Sequence, residues 1–206
     1  MSSTTDPRTF YEVALPDQFN RALEAQEAKG EAAEPLLSRM RATNASIRVE
    51  VAGDDGGTFH LDIAQGRMAS VATPGAPPFL TLIQDRTAFD RIVAEAGDSA
   101  LALLGGLSGL AGEMHLTPLR IQNLSAVDGL VHIEVTGESG FVLQTHLGTG
   151  PRPDAPDTTI MLDEAAYRDL RSGELDPQSA FMNQQIQVEG DMQKAMQLAL
   201  AAIAPD

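Results

Sequence analysis

Near its end the chain reads Gly173-Glu174-Leu175-Asp176-Pro177-Gln178-Ser179-Ala180-Phe181-Met182, then Ile186-Gln187-Val188-Glu189-Gly190-Asp191-Met192, then an apolar run to Ile203. The run spells helix, strand, glycine turn, helix. Asp176 can cap free amide groups, and Pro177 suits the first helical position because its missing N–H is not needed there. Ile186-Gln187-Val188 alternates as a strand. Gly190 permits a tight turn, and Asp191 can cap the last helix with its charge at the favourable end. In that helix Met192, Ala195, Met196, Ala199, Leu200 and Ile203 follow helical spacing and predict one apolar face, widened by Leu198, Ala201 and Ala202. After Asp191 only Lys194 is charged. Such a helix must cover something: it either closes a core or lids an apolar cavity. Met161, Met182, Met192 and Met196 cluster in this half, and methionine adapts to varied apolar shapes.

Upstream, Pro16 to Arg41 predicts two helices broken at Gly30. Ile47-Arg48-Val49-Glu50-Val51 and Phe59-His60-Leu61-Asp62-Ile63 alternate as half-buried strands about the turn Gly53 to Gly57. Arg67 to Val71 and Phe79 to Ile83 predict further strands, and Asp85 caps a helix with Phe89, Ile92 and Val93. Val131-His132-Ile133-Glu134-Val135 then repeats Ile47 to Val51, 84 residues on. Phe141, Leu143 and Gly148 follow Phe59, Leu61 and Gly66 by 82, and Thr159 and Tyr167 follow Thr81 and Phe89 by 78. The order predicts a duplicated unit; strand-turn-strand units also look alike by chance. The expected division is 1–125, leading helices with a first copy, and 126–206, a second copy with the closing helix, packed as one unit. The second copy is read as lacking leading helices.

At 206 residues the chain can bury a full core. Aromatics are 4% and Trp is absent, so aliphatic residues and Met must build that core. A net charge of −15 argues against nucleic acid and against standing attraction to anionic membranes. Without cysteine there is no disulfide and no thiolate chemistry. Met1 to Thr9 is too polar for a signal peptide, and Ala100 to Ala111 is too short to span a bilayer. The expectation is a cytoplasmic protein with no stable membrane insertion.

No catalytic signature emerges. His60, His115, His132 and His146 lack metal-ligand spacing; His60 and His132 share strand parity with Asp62 and Glu134 on a solvated face. Gly105-Gly106-Leu107-Ser108-Gly109-Leu110 lacks the second glycine of a nucleophile turn. Leu103 and Leu107 lie at helical spacing among Gly105, Gly106, Gly109 and Gly112. Those glycines admit close backbone approach, space for a ligand, or a segment with no fixed helix.

Leu170 to Leu200 resembles the end of a sterol carrier protein 2 (SCP2) domain. The Gly173 to Pro177 lead, the Ala180-Phe181-Met182 helix, the Gln185 to Glu189 strand and the Gly190-Asp191-Met192 turn carry the likeness. The resemblance implies an α/β fold of α+β type, a mixed sheet covered by helices on one face with an apolar tunnel between them. It implies non-catalytic binding of a fatty acid, acyl-CoA or sterol-like lipid, without cofactor or metal. Carried to this chain, the ligand wall comprises Phe181, Met182, Ile186, Met192, Met196 and Leu200, joined by Leu103 and Leu107. An accessory or homodimeric module with a filled core is the other reading. The chain departs from the family in its acidity and in Asn183-Gln184, where a glycine is usual.

Overall fold

The alternating segments form the strands. In the computed structural model, which describes residues 5–96 and 115–203, eight strands make one mixed sheet. They are β1 (Ala45–Val51), β2 (Gly57–Ala64), β3 (Arg67–Val71), β4 (Leu80–Gln84), β5 (Gly129–Thr136), β6 (Phe141–Leu147), β7 (Thr158–Asp163) and β8 (Ile186–Gly190). Their order is β3-β2-β1-β4-β6-β5-β7-β8. Side chains alternate between the faces of a sheet. Ile47, Val49, Phe59, Leu61, Leu82, Val131, Leu143 and Leu147 therefore share one face, and all are buried. Arg48, Glu50, His60, Asp62, His132 and Gln144 share the other and are half-buried.

Helices cover the apolar face. They are α1 (Pro7–Thr9), a π-helical turn (Phe10–Ala14), α2 (Leu15–Glu27), a 3-10 turn (Gly30–Ala33), α3 (Glu34–Arg41), α4 (Arg86–Ala96), α5 (Pro118–Ser125), α6 (Glu164–Ser172), α7 (Pro177–Met182) and α8 (Met192–Ile203). The starts follow from capping side chains. Asp85 accepts from the Ala88 amide at 2.8 Å, Asp163 from Ala166 at 2.8 Å and Asp176 from Ser179 at 2.9 Å. One continuous core runs beneath both halves of the sheet. In the first half it holds an aromatic cluster. Tyr11 stacks on Phe59 at 5.3 Å, and Phe10 meets Phe89 edge-on at 5.6 Å.

The strand pairings recur along the sheet. β1 pairs antiparallel with β2 and parallel with β4; β5 pairs antiparallel with β6 and parallel with β7. Ile47 opposes Leu80, and Val131 opposes Thr158, 84 and 78 residues on. Val51 opposes Gly57 and Val135 opposes Phe141, so the second hairpin also follows at 84. This corrects the sequence offset of 82. Matching Phe59 to Phe141 by residue type slips the strand by two positions, a slip that leaves every side chain on its own face and so escapes pattern reading. The two connections share their backbone device. Gly53 and Gly137 take positive φ, and the amides of Gly56 and Gly140 donate to their carbonyls at 3.0 and 3.2 Å.

Two helical segments were not foreseen. Pro7 to Ala14 buries Phe10 and Tyr11, and α5 stands directly before β5, where no leading helix was expected. Both begin on a capping residue followed by proline, Asp6-Pro7 and Thr117-Pro118. Both are too short for periodicity to reveal. The glycine-rich run with Leu103 and Leu107 lies outside the described residues.

Candidate functional site

The C-terminal module is assembled from caps, one strand and one hub carboxylate. Asp176 starts α7, and Gln184 ends its turn at φ 60°, in the left-handed region. The unusual Asn183-Gln184 pair thus falls where a glycine carries no steric cost. β8 runs antiparallel to β7, with Leu162 opposite Ile186 and Thr158 opposite Gly190. Gly190 has φ 82°, and a Cβ there would run into the Asp157 carbonyl oxygen. Asp191 then caps α8, accepting from the Gln193 amide at 2.9 Å and the Lys194 amide at 3.2 Å. Asp157 ties the pieces together. Its Oδ2 accepts from the Leu130 amide at 2.8 Å and its Oδ1 from Lys194 Nζ at 3.1 Å, while the same Nζ donates to the Asp128 carbonyl at 2.6 Å. The Leu130 amide first, and then Lys194, hold the Asp157 carboxyl below the usual range.

Within α8 the small residues face inward. Ala195, Leu198 and Ala201 are buried, whereas Met196 and Leu200 are each 60% exposed and Met192 is 39% exposed. In α7, Ala180 is fully buried while Phe181 is 44% and Met182 72% exposed. Ile186 is half-buried and packs against the core. Thus Phe181, Met182, Met192, Met196 and Leu200 lie on the outer surface of the two helices, and Ile186 lies beneath. The apolar stripe expected to face inward is turned outward over much of its length. The apolar residues of α8 span more than the face it buries, so Ala195, Leu198 and Ala201 take the close packing and leave Met192, Met196 and Leu200 outside.

A polar group on the helix-covered face was missed in the sequence. Gln84 and Thr145 are 3% exposed and diagonal neighbours on β4 and β6. Gln84 Nε2 and Tyr11 Oη lie 2.5 Å apart, while Gln84 Oε1 and Thr145 Oγ1 have no partner among the described residues. A separation of 2.5 Å suits O–H···O better than N–H···O. With the amide turned, Tyr11 donates to Gln84 Oε1 and the amide nitrogen becomes the free group. In either orientation one end of the amide is unpaired. Burial drives the Tyr11 phenol far above its usual pKa, so it stays neutral. The sequence signal was a break in alternation: Leu80, Leu82, Gln84 and Leu143, Thr145, Leu147 each place a polar residue at apolar parity.

The histidines do not converge on one centre. His132 Nδ1 and Gln144 Nε2 are 3.2 Å apart, and His115 Nε2 is 3.4 Å from Gln26 Nε2 across the fold. Among the described residues no three His, Asp or Glu side chains gather as a metal would require, and no helix is long and apolar enough to cross a membrane.

Residues 114–202 match the family profile described as "SCP-2 sterol transfer family". Sterol Carrier Protein 2 from Yarrowia lipolytica in its apo form is similar at 15% identity, over 43% of this chain and 79% of that one, with a TM-score of 0.31. Sterol Carrier Protein 2 Like 2 from Aedes aegypti is similar at 16% identity, over 55% and 95% respectively, with a TM-score of 0.34. Curated protein sequences give no match. Residues 114–202, which contain the whole Leu170 to Leu200 signature, thus carry the mark of the SCP-2 sterol transfer family.

Proposed function

We propose that this chain binds a lipid, a fatty acid, acyl-CoA or sterol-like molecule, through the apolar side chains of α7 and α8, as a carrier rather than an enzyme. The observation that carries this reading is the large apolar surface at Phe181, Met182, Met192, Met196 and Leu200 on a chain of net charge −15. Exposed apolar side chains that gather into a patch mark surfaces that meet something apolar. Each CH₂ group removed from water there contributes about 0.8 kcal/mol, so an alkyl chain supplies its own driving force. Ile186, beneath the two helices, lines the inner side of the same contact. Leu103 and Leu107 belong to the same reading as further wall residues.

Native mass spectrometry of protein prepared without detergent, followed by titration with a fluorescent fatty acid, tests this. A bound lipid, or saturable uptake weakened about tenfold or more by Leu200→Glu, is the expected result. Protein that is empty and ignores the probe overturns it and leaves a module with a filled core. Leu200→Glu exchanges a side chain that is already 60% exposed, so folding is retained.

A further inference from the structure

The open face of the sheet, opposite the helices and the lipid surface, carries a built cavity of ≈ 630 Å³. Its floor is two cross-strand rows. Arg48, Thr81 and His146 stand side by side on β1, β4 and β6, and Glu50, Ile83 and Gln144 stand beside them. Its wall is the segment after β6, residues 148–154. That segment turns back over the sheet, and Arg152 Nη1 donates to Glu50 Oε2 at 2.8 Å, reaching across β4 to β1. Arg48 Nη2 meets the other oxygen, Glu50 Oε1, at 2.8 Å. One carboxylate therefore sits between two guanidiniums and leaves one positive charge in excess.

Three features point to an occupant. Arg48 Nε is buried and has no partner among the described residues, and a desolvated cationic N–H is among the costliest groups to leave unsatisfied. His146 is only 6% exposed, lines the cavity, and its ring makes no hydrogen bond among the described residues. Burial and the Arg152 charge hold its pKa below the usual value, against weaker pulls from Asp128 and Asp157, so it enters the site as a neutral hydrogen-bonding ring. Ile83, Leu130, Pro78 and Pro151 give one part of the lining an apolar surface, beside the polar Thr81, Gln144, Thr149 and Asp154.

We propose that this cavity is a binding site for a small organic monocarboxylate with a flat apolar body. Its carboxylate takes the guanidinium edges of Arg48 and Arg152 that Glu50 leaves free, its body lies against the prolines, and His146 supplies a hydrogen bond. A single carboxylate matches the excess charge of the Arg48–Glu50–Arg152 cluster itself, and the exposed Asp154 at the wall, which offsets part of it, leaves no room for a second negative charge. A dianionic phosphate is disfavoured by Asp154 in the wall and by the acidity of the chain. The site is independent of the lipid reading, because it uses the other face of the sheet.

Benzoate, benzamide and phenyl phosphate are the probes, titrated against the full chain and followed by amide and His146 imidazole NMR shifts. Benzoate is expected to move His146, Gln144 and residues 148–152 saturably, with benzamide and phenyl phosphate at least about tenfold weaker. Arg152→Gln, in a loop side chain 45% exposed, is expected to weaken benzoate about tenfold, whereas Arg8→Gln changes nothing. Equal binding of benzamide, shifts confined to α7 and α8, absence of saturable shifts, or an unaffected Arg152→Gln variant each overturn the proposal.

Discussion

The two halves of the sheet are built alike and covered differently. β2-β1-β4 and β6-β5-β7 share pairing, direction and turn backbone. Over the first lies an interlocked aromatic cluster in which Phe10, Tyr11, Phe59 and Phe89 are all at most 3% exposed. Over the second Phe141 meets Tyr167 edge-on at 5.3 Å, and the last helices show several long side chains to the outside. The difference teaches where stability and function divide. Large rings seal the first half, where Val13 is the one long aliphatic side chain left exposed among the described residues. Small residues, Ala180, Ala195 and Ala201, seat the helices of the second half and free its methionines and leucine for contact.

The largest test of this contrast exchanges one residue on each side. Phe89→Ala removes a fully buried ring and is expected to cost about 3–5 kcal/mol in urea unfolding, whereas Met196→Ala stays within about 0.5 kcal/mol. Equal losses would break the contrast. A smaller effect is expected at the hub that seats α8. Asp157→Ala removes the bond to the Leu130 amide and the Lys194 pair, and about 1–3 kcal/mol should go with them. The same carboxyl sets a pH dependence. Its folded pKa lies below the ordinary 3.8, so its contribution is fully present above that value and is lost as pH falls below it through the lowered pKa. Acid titration of thermal stability should lose that component in Asp157→Asn. The smallest change belongs to Thr145→Val. Replacing an unpaired buried hydroxyl by a methyl is expected to leave the protein unchanged or about 0.5–1 kcal/mol more stable. Destabilisation by more than that would mean the hydroxyl already has a partner.

Much of the architecture was legible. The strands at Ile47, Phe59 and Val131 follow from alternation, the caps at Asp85, Asp176 and Asp191 from residue type, and the likeness that the profile match over residues 114–202 bears out from Gly173 to Met192. Less legible were the segments whose signal is local and brief. Asp6-Pro7 and Thr117-Pro118 each announce a helix, yet Pro7 to Ala14 and Pro118 to Ser125 are too short for a period to stand out. The hairpin offset was misjudged because a two-residue slip preserves the apolar pattern. The surface of α8 was open in the sequence for a related reason. When the apolar residues of a helix span more than one face, periodicity cannot say which stripe is buried, and the choice falls to the fit of Ala195, Leu198 and Ala201 against the core.

The Arg48–Glu50–Arg152 cluster marks the same boundary from the other side. Arg152 stands 102 residues after Glu50 in sequence, and no spacing rule joins them. The sequence alone determined the strands, the caps and the family likeness of the second half, because alternation, capping and turn chemistry act between near neighbours. Only the tertiary structure decided which helix face stays exposed, which buried polar groups lack partners and which charges meet on the open sheet. Those outcomes depend on contacts between distant segments, where packing and desolvation rather than local preference select among faces.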